Sequence, residues 1–267
     1  MSISLVSQQG LKLSQLYVAP KTPDSHFYEQ FKAAYAGYAD EQAGIGSSHA
    51  LASNGVPDQG NKPSVMGDLY SEMARRRGTS AQDTLAYACI LNQAYNSNGI
   101  SDPQGFLKSL SAYQLAVVQH VHGLAETINT YTLSREGATN LLLPDGYSVD
   151  LNHDHQEEIG AAIAMHFPPR DAPAEFLQAW ATIVDDMGED DVMTYSLIMH
   201  SAIFGKAGSG EQIEPADKHA SDRLDTYRDI VLNALNFLAE TPSGKPDGQH
   251  TKDLAFYTRL QSLLDRQ

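Results

Sequence analysis

The chain is predicted to be all-α, a bundle of about eight or nine helices, on three observations. Apolar residues recur at spacings of three and four along most of it. Helix caps stand before and after those runs, and the alternating pattern of half-buried strands is almost absent.

Residues 1–63 read as a loosely structured N-terminal arm with one short helix. Phe27, Phe31, Tyr35 and Tyr38 follow each other at spacings of four, four and three. That puts them on one helical face, as a core stripe rather than a ligand cage. The run AGIGSSHALASNGVPDQGNKP is rich in Gly, Ser, Asn and Pro and has no apolar period, the composition of a linker.

A helical sub-bundle is expected over 64–133. Val65, Met66, Leu69, Tyr70 and Met73 give its first apolar face. Arg75, Arg76 and Arg77 then read as a solvated helix end before the stop at Gly78, since cations suit the C-terminal dipole. Ser80 with Asp83 resembles a capping box, Asp102 precedes Pro103 as cap and first helical residue, and Ser111 with Gln114 forms a full capping box. Leu115, Val117, Val118, Val121, Leu124 and Ile128 cover a broad face that should be buried.

Residues 134–170 read as an irregular connecting segment. A tight turn at Pro144-Asp145-Gly146, an extended piece over 147–151 and a helix from Ile159 to the prolines at 168 and 169 are expected. A second sub-bundle fills 171–267. Phe176, Trp180, Ile183, Val184 and Met187 share a face closed by Gly188, and Glu189, Asp190 and Asp191 suit the N-terminus of the next helix. Leu224, Tyr227, Val231, Ala234 and Leu238, with Leu235 beside them, make the most regular seam in the chain. It packs internally or forms a homodimer through 224–238. Leu254, Tyr257, Leu260 and Leu264 mark a last helix.

The formal net charge of -15 opposes binding to nucleic acid or to an anionic membrane surface. The single Cys89 excludes internal disulfides and multi-cysteine zinc sites, and its apolar helical setting predicts an inert thiol. No run is long and apolar enough to span a membrane, and the N-terminus lacks the regions of a classical signal peptide. A soluble, cytoplasmic protein is the expectation, with signal-independent export left open.

The stretch DLNHDHQEEIG, residues 150–160, is the strongest chemical signal. Asp150, Asn152 and Asp154 fill the first, third and fifth positions of the calcium-loop template, Gln156 the seventh through its carbonyl and Glu158 the ninth. His155 replaces the glycine of the sharp turn and Ala161 the bidentate glutamate. Three readings follow: a polar loop held by its own Asx-type hydrogen bonds, a weak or vestigial Ca2+ site, and a transition-metal site on His153 or His155. The first is favoured. His120 and His122 point about 200° apart on a helix and cannot readily share an ion. A cluster of His122, His153, Asp154, His166 and His200 is the alternative metal site. No nucleophile elbow is present, and FGKAGSGEQ has the letters of a phosphate loop in the wrong order.

With no complete catalytic motif, the functional expectation is a non-enzymatic binding or scaffold protein with a protein partner. A metal-dependent hydrolase with a His/Asp site around the middle loop is the alternative.

Overall fold

The computed structural model describes residues 10–36, 65–205, 220–240 and 248–266. Tyr38, the Gly/Ser-rich linker run and the FGKAGSGEQ stretch beyond Gly205 lie outside the described residues. The described chain is mostly helical, with one two-stranded antiparallel hairpin. Its elements are α1 (Leu13–Leu16), α2 (Ser25–Ala34), α3 (Gly67–Arg77), α4 (Ala81–Asn96), α5 (Pro103–Ser109), α6 (Ala112–His122), α7 (Arg135–Asn140), β1 (Gln156–Ile159), β2 (Ala162–Met165), α8 (Ala174–Val184), α9 (Glu189–Phe204), α10 (Leu224–Glu240) and α11 (Gln249–Leu264). The eleven described helices exceed the expected eight or nine chiefly through the one-turn α1 and the short α7.

The expected caps form. Ser80 accepts from the Asp83 N–H at 3.0 Å, Asp102 from the Gly105 N–H at 3.0 Å, and Ser111 and Gln114 close a reciprocal capping box. Gly78 ends α3 in the left-handed conformation at φ 69°, open to glycine without strain. Gly188 does not close α8, which stops at Val184; it is the N-cap of α9.

The chain divides into two compact units. The first holds Pro20–Met165. Its core gathers Phe27 and Phe31 from α2, Tyr70 from α3, Tyr87, Leu91 and Tyr95 from α4, Val117, Val118 and Val121 from α6, and the run Leu141 to Leu143. Pro144 prevents that run from extending α7, so its carbonyls need other donors. Tyr95 Oη donates to Leu142 O at 2.7 Å, and Tyr87 Oη lies 2.9 Å from Leu143 O and 3.1 Å from Leu141 O. His122 Nε2 meets both Tyr87 Oη at 3.0 Å and Leu141 O at 3.2 Å.

The second unit holds Leu11–Ala19 and His166–Gln267. Here Phe176, Trp180 and Ile183 of α8 pack with Val192, Tyr195 and Met199 of α9, Tyr227 and Val231 of α10, and Phe256, Leu260 and Leu264 of α11. The seam of α10 thus serves its own core, with Tyr227 and Val231 buried and Leu224, Ala234, Leu235 and Leu238 partly so. Leu254 departs from its predicted core face: Phe256 takes the inward position and Leu254 is exposed.

Two further expectations are corrected. Arg77 is no solvated helix end: its guanidinium forms a bidentate pair with Asp145 at 2.7 and 2.9 Å and also donates to Val121 O. Arg75 and Arg76 pair locally with Glu72, whose carboxyl Arg75 foremost pulls down to about 2. The segment from Ile159 is not helical. Gly160-Ala161 forms a two-residue hairpin loop with φ 64° at Gly160, the pattern of a type II′ turn, and Ala162–Met165 returns along β1.

Candidate functional site

The polar stretch 148–160 is built around one short helix. Ser134 caps α7 by accepting from the Gly137 N–H at 2.8 Å. Glu136 and Asn140, four residues apart, then share one face of α7. Both are buried. Glu136 Oε2 accepts from the Leu151 N–H at 2.7 Å and Oε1 from the Glu158 N–H at 3.0 Å. Asn140 acts as a piece of strand: Oδ1 accepts from the Val149 N–H at 2.8 Å, while Nδ2 donates to Val149 O at 2.9 Å and Glu158 O at 2.8 Å. Between these two side chains, Gly160 N–H donates to Gly137 O at 3.0 Å. Any Cβ on Gly137 would overlap the Gly160 carbonyl oxygen, so only glycine permits this approach.

The loop that α7 clasps closes on itself. Asp150 accepts from the His153 N–H at 2.7 Å through Oδ1 and from the His155 N–H at 3.1 Å through Oδ2. Asn152 Oδ1 accepts from the Asp154 N–H at 3.0 Å, and Asp154 Oδ1 from the Gln156 N–H at 2.9 Å. Asn152 Nδ2 donates to Asp154 Oδ2 at 3.1 Å. His153 and His155 adopt φ of 58° and 63°, so the chain turns at the histidines while the Asx residues hold the turn. Gln156 begins β1. Glu158 takes the Ser134 hydroxyl, and the buried Glu157 takes that of Ser148.

Asp150, Asn152 and Asp154 are therefore neighbours along one turn, with their side-chain oxygens engaged by protein donors, while Gln156 and Glu158 follow in β1, where Glu158 accepts from Ser134. The alternative cluster is distributed: His122 meets Tyr87, His153 and Asp154 lie in the exposed loop, His166 follows β2, and the buried His200 has its ring 4.8 Å from that of Phe204. Among the described residues, no three His, Cys, Asp or Glu side chains gather where they could hold one ion.

Sequence reasoning did not find the network of Tyr87, His122, Arg77 and Asp145. Burial lowers the pKa of His122, with the Arg77 charge adding to this and the Asp145 charge opposing it. The neutral ring, donating from Nε2, suits its two oxygen neighbours. Burial also raises the Cys89 thiol above its ordinary range, so little of it is nucleophilic thiolate. In the second unit, a cavity of about 200 Å³ lies between Arg228, Val231 and Leu232 of α10 and Gln261 and Leu264 of α11. That is smaller than the roughly 300–1,000 Å³ of a usual small-molecule site. No protein-family model, curated protein or solved structure matches the chain.

Proposed function

We propose that this chain is a non-enzymatic binding protein whose contact surface is the outer face of α9. The observation that carries the reading is the pattern of that helix. Val192, Tyr195, Met199 and Ile203 are buried, yet Met193, Leu197 and Ile198 are exposed at 60%, 50% and 45%. A helix at a protein surface normally turns polar residues outward. Large side chains at i, i+4 and i+5 on the outside are the arrangement that a partner helix or groove reads. The clasped loop is then a structural element, its polar groups engaged in holding the first unit together. The metal-dependent hydrolase on His153 and Asp154 remains the alternative, and it requires zinc to raise the melting temperature.

Site-specific photocrosslinking tests the reading. A photoreactive residue at position 197, introduced in the cell of origin, is expected to trap one defined protein partner. The same residue at Tyr131, exposed at 86% and outside this face, should trap none. The absence of an adduct at 197, or equal trapping at both positions, would overturn the proposal.

A further inference from the structure

Among the described residues, β2 pairs with β1 alone and its outer edge is open. Glu158 turns its N–H to Glu136 and its C=O to Asn140, both on α7, so its backbone points away from β2. In an antiparallel pair, the residue opposite then points away as well. Glu158 faces Ile163 and Gln156 faces Met165. The N–H and C=O groups of Ile163 and Met165 therefore line the free edge, and no hydrogen bond engages them among the described residues. Their side chains share the outer face, exposed at 65% and 39%. Edge strands usually carry a charge, a proline or a bulge that deters pairing. From Ile159 to Phe167 there is no Asp, Glu, Lys, Arg or Pro.

We propose that β2 is a pairing edge for a second copy of this chain, joining two hairpins into one antiparallel sheet about a two-fold axis at Ala164. The register is self-complementary. Ile163 stands opposite Met165 of the second copy, and Met165 opposite its Ile163, so both outward-facing residues of each strand form hydrogen-bonded pairs. Ala164 meets Ala164 between them. That middle pair is of the close, non-hydrogen-bonded kind, with Cα atoms about 4.5 Å apart, where a small side chain fits. A slip of one residue would offer the second copy the groups of Ala162 and Ala164, which already face β1.

The strand itself offers a charged partner nothing to pair with, although the net charge of -15 on each copy opposes association and adds to its weakness. The paired strands are uncharged, and the outer face puts Ile163 and Met165 of each chain against those of the other. The nearest acids on that face, Glu158 and its counterpart, are three strand spacings across and two residues along, roughly 16 Å apart. That exceeds the screening length of about 8 Å at physiological ionic strength. So short an edge buries less than the roughly 800 Å² per partner of a stable interface. The dimer is therefore weak and belongs to high protein concentration.

Sedimentation velocity on the full chain, from about 10 µM to about 1 mM, tests the association. A concentration-dependent dimer is expected, weakened at least tenfold by Ile163→Lys and unaltered by Leu197→Lys on α9. Monomer throughout, or a dimer that survives Ile163→Lys, would overturn the proposal. Cysteine crosslinking tests the register in a Cys89→Ser background. Ala164→Cys should form an intermolecular disulfide at least tenfold faster than Ile163→Cys, and equal or reversed rates would rule the two-fold axis out.

Discussion

In the second unit, Phe176 lies flat on Tyr227 at 3.7 Å, Tyr195 lies flat on Phe256 at 3.8 Å, and Trp180 stands edge-on to Phe167 at 4.7 Å. The helices meet through apolar area, and shape decides the fit. In the first unit, the half containing α7 and the hairpin is held differently. Glu136 and Asn140 stand in for a neighbouring strand, Tyr87 and Tyr95 satisfy carbonyls that no helix continues, and Gly137 lets two backbones touch. Apolar packing tolerates changes that conserve volume. A hydrogen-bonded clasp tolerates only changes that conserve donors and acceptors. The two regions should therefore respond in opposite ways to the same kind of substitution.

The largest effect is expected where packing is removed outright. Trp180 is 2% exposed and touches three aromatic rings, so Trp180→Ala should cost about 3–5 kcal/mol. Urea unfolding followed by far-UV circular dichroism measures it. A loss below about 1 kcal/mol would mean that the α8 core does not govern the second unit.

Shape-conserving changes sharpen the contrast. Met199→Leu in the second unit should cost less than about 1.5 kcal/mol, because volume is kept. Glu136→Gln conserves shape equally well, yet it turns an amide N–H2 toward the N–H of either Leu151 or Glu158. It should cost about 2–3 kcal/mol. Hydrogen exchange should show the amides of Leu151 and Glu158 losing protection while those of α4 keep theirs. Equal, small losses in both variants would erase the distinction between the regions.

A third test uses pH. Folding places His122 below its ordinary pKa, so the unfolded chain takes up the proton first as the solution is acidified. The associated stability is complete above about pH 6.5 and is lost as pH falls through the folded value. Urea midpoints should therefore fall between pH 7 and 5 in the natural chain. His122→Gln should lack this part of the decline, so the difference between the two chains narrows on acidification. Parallel curves would show that His122 carries no linked proton.

These contrasts also explain what the sequence made legible. Periodicity located helices such as α8 and α11, because a residue such as Trp180 or Leu260 is placed by the same three-to-four spacing that a reader counts, whereas α9 was marked only by the acids at its start. The clasp has no period. Glu136 meets Leu151 and Glu158 across intervals of fifteen and twenty-two residues, and nothing local marks a glutamate as a backbone acceptor. The hairpin carried a signal in Gly160-Ala161, the Gly-X of a type II′ turn, but Ala162 to Met165 lack polar alternation and resemble a helix. Asp150, Asn152 and Asp154 were legible as Asx residues of a turn. The partners of Glu158 and Glu157 were not, because Ser134 and Ser148 reach them only once α7 and β1 are in place.

The smallest effect is expected in the loop itself. Asp150 fixes two N–H groups at the chain's left-handed turns, but the loop is largely exposed and water can replace a lost acceptor. Asp150→Ala should cost about 1 kcal/mol, far less than Glu136→Gln, although each carboxylate accepts two backbone bonds. Melting in excess calcium, in EDTA and with zinc separates this role from metal binding. A ligand that binds only the folded state stabilises it by about 2.7 kcal/mol at a hundredfold excess over its dissociation constant. If the Asx bonds are the whole purpose of the loop, neither metal shifts the natural chain, and Asp150→Ala melts at the same small deficit in all three conditions. A calcium shift abolished by Asp150→Ala would instead make Asp150, Asn152 and Asp154 ligands first and turn residues second. The clasp from α7 would then be the scaffold that presents them.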